Sequence, residues 1–81
     1  MENKILRTSF RGYKKEDVLT RLNALNALIL ALEYNSISKA DAEKEIEKII
    51  SMEMHTAFQG FNKEDTDKYI DEIIDQIRNY R

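Results

Sequence analysis

The sequence predicts an all-α fold: one small domain of three helices running up, down and up, with two aromatic, glycine-containing loops at one end. Three observations predict it. The 81 residues contain no proline and 35% are charged, a composition that favours uninterrupted helices. The stretch Thr8-Ser9-Phe10-Arg11-Gly12-Tyr13-Lys14-Lys15-Glu16-Asp17 returns as Thr56-Ala57-Phe58-Gln59-Gly60-Phe61-Asn62-Lys63-Glu64-Asp65, displaced by 48 residues, with six of ten positions identical. Each copy then enters an apolar seam spaced 4, 3, 4, 3: Val18, Leu22, Leu25, Ile29 and Leu32 in the first, Thr66, Ile70, Ile73, Ile77 and Tyr80 in the second.

Each element has a local reason. Residues 1–9 are a short lead-in with Ile5 and Leu6 as its apolar residues after Met1. Phe10 to Tyr13 forms the first loop, where Gly12 serves a positive-φ turn or a close backbone approach. The first helix is expected from about Lys15 to Glu33. Glu16 and Asp17 suit the positive end of its dipole, and Tyr13 and Val18 have the spacing of a hydrophobic staple. Lys14 stands at its cap position and has no side-chain oxygen to accept an amide. Leu28-Ile29-Leu30-Ala31-Leu32 is apolar nearly all round, so a third helix or a second chain must cover it.

Asn35-Ser36-Ile37-Ser38 breaks the pattern, and Ser38 caps a second helix from about Lys39 to Met54. Its stripe is Ala42, Ile46, Ile49, Ile50 and Met54. Phe58 to Phe61, with Gly60, is the second loop. Asn62 caps the third helix, which starts at about Lys63 and ends with Arg78 and Arg81 at the negative end of its dipole. Two loop-helix units packed in parallel need a return segment, which the second helix supplies. The domain is thus residues 1–81, with repeats at 8–33 and 56–81 joined by a return helix at 39–54. Two heptad cycles per seam suit an amphipathic bundle; an extended, dimeric coiled coil is the alternative.

Composition excludes several classes of function. Without cysteine there is no disulfide framework, thiolate chemistry or zinc knuckle. No stretch approaches the about 20 apolar residues of a membrane span, and the first residues lack the apolar core of a signal peptide. The net charge of −2 conceals an asymmetry: residues 1–15 carry +4 and the remainder −6. With a pI of 5.4 this is no nucleic-acid domain, and a compact basic patch beside an aromatic suits anionic lipid better. A solvated, charged tail is the plainer reading of the same residues. His55, the only histidine, has no second histidine or cysteine to share a metal. The acidic residues Asp65, Asp67, Asp71, Glu72 and Asp75 lack calcium-loop spacing. No nucleophile elbow, phosphate loop or triad pattern is present, so no enzyme, metal or cofactor is expected.

The first motif, Ser9-Phe10-Arg11-Gly12-Tyr13-Lys14-Lys15-Glu16-Asp17-Val18, resembles the opening motif of the DivIVA family, roughly S-F-R-G-Y-D-x-x-E-V. The second, Phe58 to Asp71, is similar to the same motif continuing into its D-x-[FY]-[LI]-D segment through Asp67, Tyr69, Ile70 and Asp71. Together the two cover most of the chain, and the second helix has no counterpart. The resemblance implies a bacterial cytoplasmic scaffold linked to cell division, built in the family as parallel dimeric coiled coils with crossing N-terminal loops. It assigns Phe10 and Arg11 to a membrane-touching tip, with Lys14 and Lys15 beside them. Copy two carries Gln59 in place of that arginine and is the poorer anchor. It keeps Asp67 and Asp71, one turn apart, where copy one has Leu19 and Asn23. Such a pair could receive a guanidinium, so Tyr13, Phe58, Phe61, Asp67 and Asp71 are expected to bind a basic peptide of a protein partner. The 81 residues hold no counterpart of the family's long coiled-coil tail. Two motifs in one chain could imitate internally what the family builds by dimerisation, as a monomer or small homodimer.

The expected function is a non-enzymatic adaptor, peripheral at the inner face of the membrane, with one copy facing lipid and the other a peptide. The alternative is a small cytoplasmic protein-protein regulator without a membrane role, its aromatic loops buried in a dimer or a partner. Exposure of Phe10 and Phe58 discriminates between them.

Overall fold

The computed structural model describes residues 6–80; Met1, Glu2, Lys4 and Ile5 of the lead-in and the terminal Arg81 lie outside them. Five elements follow in order: β1 (Thr8–Phe10), α1 (Lys15–Glu33), α2 (Lys39–Ser51), β2 (Gln59–Phe61) and α3 (Lys63–Arg78). The chain is mostly helical but not purely α. The segments read as loops contain short strands, and β1 pairs antiparallel with β2 in the register Thr8↔Phe61, Ser9↔Gly60, Phe10↔Gln59. Neither strand could form alone. Each copy finds its backbone partner in the other copy, which a reading of one copy at a time does not reveal.

The helix ends follow their capping chemistry. Ser38 Oγ accepts from the Asp41 amide at 3.1 Å, and Asn62 Oδ1 from the Asp65 amide at 2.9 Å. α1 has no side-chain cap. Its C-terminus closes with Asn35 at φ 55, where the Ser36 amide reaches the Ala31 carbonyl and the Asn35 amide reaches Leu32. That is a Schellman closure with asparagine in the left-handed position. α2 stops at Ser51, short of the expected Met54, because Met52 turns extended.

α2 runs against both other helices. At its C-terminal end the buried Arg21 of α1 donates to the carbonyls of Ile50 and Met52, two of the acceptors a helix end leaves unpaired. At its N-terminal end Lys39 donates to the Arg78 and Tyr80 carbonyls, and Arg78 holds Glu43 in a two-bond fork at 3.0 and 2.8 Å. The core joins Leu25, Leu28 and Leu32 to Ala42, Ile46 and Ile49 of α2 and to Ile70, Ile73, Ile74 and Ile77 of α3. Ile50, expected in the α2 stripe, is instead exposed. Of the all-round apolar run in α1, Leu28 and Leu32 are buried, Ile29 is half-buried and Leu30 faces solvent.

Candidate functional site

The two copies of the motif cross each other at the head of the bundle, related by an approximate two-fold axis. Residues one offset apart make reciprocal bonds. The Tyr13 amide donates to the Phe61 carbonyl at 2.8 Å and the Phe61 amide to the Tyr13 carbonyl at 2.9 Å. The Lys14 amide donates to the His55 carbonyl and the Asn62 amide to the Arg7 carbonyl. Lys15 lies over the Phe61 ring at 5.4 Å and Lys63 over the Tyr13 ring at 5.5 Å. Beneath the crossing Val18 and Thr66, also equivalent, are both fully buried.

The glycines make this crossing possible by absence of a side chain. Neither has a positive φ. A Cβ on Gly12 would run into the Phe61 carbonyl oxygen and lie 2.7 Å from the Gly60 carbonyl carbon. One on Gly60 would run into the Tyr13 carbonyl oxygen and lie 2.7 Å from the Gly12 carbonyl group. Of the two roles open to these glycines, close approach is therefore the one used. The left-handed residue is Arg11, at φ 58.

Two carboxylates latch the crossing. Asp65, at the head of α3, accepts from the Arg7 guanidinium at 2.7 and 2.9 Å and from the Arg7 amide at 3.3 Å. Asp17, its equivalent in α1, accepts from the His55 amide at 2.8 Å and faces His55 Nδ1 at 2.9 Å. Each acid at a helix head thus holds the segment that leads into the other copy. The Arg7 side chain holds the Asp65 carboxyl below its ordinary value, and the main-chain bond from His55, then its ring, does the same for Asp17. In the sequence Asp17 reads as a dipole residue and Asp65 as one of a row of acids without calcium-loop spacing. The offset that links Arg7 to His55 was the available signal for the latch.

At the apex stand Phe10 and Phe58, 64% and 74% exposed, edge to face with ring centroids 5.1 Å apart. The Arg11 guanidinium lies 5.5 Å over the Phe10 ring. The structure therefore brings Phe10, Arg11 and Phe58 into one tip built by both copies. Lys14 and Lys15 belong to the crossing instead, Lys14 near Glu16 at 3.8 Å and Lys15 over Phe61. Tyr13 and Phe61 are half-buried within the same crossing. Tyr13 donates its hydroxyl to Asp67 at 2.9 Å, and burial, then this carboxylate, raises its pKa. The equivalent positions are Phe61 and Leu19, an apolar pair, so hydroxyl and carboxylate are present or replaced together. Asp71 is exposed, away from the tip's three residues on α3.

Among the described residues no helix is long and apolar enough to cross a membrane, and no group of three His, Asp or Glu is placed to hold a metal ion. No protein-family model, curated protein or solved structure matches the chain.

Proposed function

We propose that the chain is a non-enzymatic adaptor that touches an anionic membrane surface through the tip formed by Phe10, Arg11 and Phe58. The supporting observation is the exposure of two phenylalanines at one apex with a cation beside them. Inserting both rings gains at most about 1.5–3 kcal/mol each. A basic residue near an anionic surface adds about 1 kcal/mol. The sum suits reversible, peripheral contact. The likeness of the first motif to that of DivIVA proteins supports the same reading, as does the +4 charge of residues 1–15. Both copies contribute a ring, so the tip requires the crossing to be intact.

Co-sedimentation with vesicles of rising anionic-lipid content tests this. Wild type should bind, less at moderate salt than at low salt. Phe10→Ala and Phe58→Ala should each abolish most of the binding. Arg11→Gly separates function from fold: it relieves the left-handed φ and stabilises by up to about 1 kcal/mol, yet weakens binding. Binding unaffected by both phenylalanine substitutions would end the membrane reading. A second reading, capture of a basic peptide, is favoured by Asp67 and Asp71 spaced one turn apart on α3. It fails if Asp71→Asn leaves the affinity for arginine-containing peptides unchanged.

A further inference from the structure

From the solvent face of α1 we infer that the chain self-associates, a second copy docking two-fold on the strip Leu19, Asn23, Ala27, Leu30 and Tyr34. These residues are all exposed and follow a 4, 4, 3, 4 spacing along one side of the helix. No ionisable side chain other than Tyr34 lies on it. Between Asp17 and Glu33 the only charged residue is Arg21, and Arg21 is buried against α2. In a chain with 35% charged residues, four turns of uncharged exposed helix are exceptional.

The internal repeat supplies the control. Leu19, Asn23, Ala27 and Leu30 of α1 correspond to Asp67, Asp71, Asp75 and Arg78 of α3. Every one of the four α3 residues is charged and exposed. The fold therefore tolerates charge at these positions; Leu19 answers to Phe61 across the crossing, but the apolar and amide character of Asn23, Ala27 and Leu30 answers to something other than the fold. Ala27 also lines an open apolar groove between α1 and α2 of about 500 Å³, with Ala24, Ile37 and Met52. Strip and groove form one continuous surface.

The occupant follows from charge. A two-fold interface sets a patch against itself, so a patch rich in one sign repels its own copy. The strip carries no charge, and the groove's rim carries one acid and one base, Glu45 and Lys48, which pair with each other at 3.2 Å. Two copies can exchange these partners across the axis. The α3 face, with Asp67, Asp71 and Asp75 in a row, would repel itself. The strip from Leu19 to Tyr34 is about 22 Å long at the rise of a helix. That suits an interface smaller than the standard of about 800 Å² per partner. The dimer is accordingly weak and appears only at high concentration.

Sedimentation velocity of the full chain from about 10 µM to about 1 mM reads the association directly. Wild type should pass from monomer to dimer across that range. Ala27→Asp with Leu30→Arg, the residues α3 carries at these places, should hold the chain monomeric throughout with an unchanged helical circular-dichroism spectrum. Should that double variant fail to fold, Asn26→Glu on the same exposed face carries the test. A wild type monomeric at every concentration, or a dimer that survives the charged variants, overturns the proposal. So does a dimer that Phe10→Ala with Phe58→Ala dissolves, because the tip would then be the interface.

Discussion

Asp17 and Asp65 hold the same place in the two copies, yet one receives a histidine and the other an arginine. The contrast recurs through the molecule. Tyr13 with Asp67 stands opposite Phe61 with Leu19, buried Val18 opposite buried Thr66, left-handed Arg11 opposite Gln59 in a strand. Main-chain bonds across the crossing are kept in both halves, while side chains around them have diverged. Backbone reciprocity demands only that both copies share a shape, whereas each side chain answers to its own surroundings. α2 is the main cause of unequal surroundings. It packs along α1 and takes up Arg21, whose equivalent in α3 is Tyr69.

The largest expected effect tests the shared part. Gly12→Ala and Gly60→Ala should each destabilise by about 3 kcal/mol or more, since the added methyl meets backbone that cannot retreat. For a small domain this approaches the whole stability. Urea unfolding should show the two losses to be similar; a large loss at one glycine alone would break the two-fold equivalence.

A smaller effect tests the divergent part. Thr66 buries an Oγ1 without a hydrogen-bond partner among the described residues, while Val18 fills the equivalent site with methyls. Thr66→Val should therefore stabilise by about 1 kcal/mol, and Val18→Thr should destabilise by about 1–3 kcal/mol. Thermal denaturation of the two exchanges checks both signs. A loss on Thr66→Val would mean that the hydroxyl is satisfied in solution.

The smallest effect concerns the latches. Folded, Asp17 and Asp65 hold their charge below the ordinary value of 3.8, and the Arg78 fork holds Glu43 below its ordinary 4.5. A depressed carboxyl stabilises the fold at pH values above its unfolded pKa, and that contribution is lost as pH falls through the folded one. The contribution of these three carboxyls should thus be level above about pH 5 and decline from there toward pH 2. Asp17→Asn and Asp65→Asn should each make that decline shallower, as read from urea midpoints at pH 7 and pH 3. An equal slope in the variants would show the latches to be energetically idle. The Asp17–His55 contact gains charge assistance only when His55 is protonated, whereas Arg7 is always charged. His55→Arg should therefore make the two latches alike in their response to pH.

Much of this was legible in the chain. The repeat, the seams, the caps at Ser38 and Asn62 and the helix starts at Lys15, Lys39 and Lys63 follow from local patterns of a few residues. The early end of α2 and the exposure of Ile50 were not legible, because both depend on where Arg21 and the crossing meet that end of the helix. The strands were missed for a similar reason: an extended segment of three residues carries no period and becomes a strand only when a partner backbone lies beside it. Lys14 and Lys15 read as neighbours of Phe10 in sequence, but the chain reverses between them, and only Arg11 stays at the tip.

What the sequence by itself determined is therefore periodic or local: two equivalent units, three helices, their caps and most of their buried stripes. What only the tertiary structure decided is who meets whom. The same 48-residue offset could describe two units side by side or interlocked. The choice rests on contacts between residues far apart in the chain, Gly12 against Gly60 and Phe10 against Phe58, which no short-range pattern encodes.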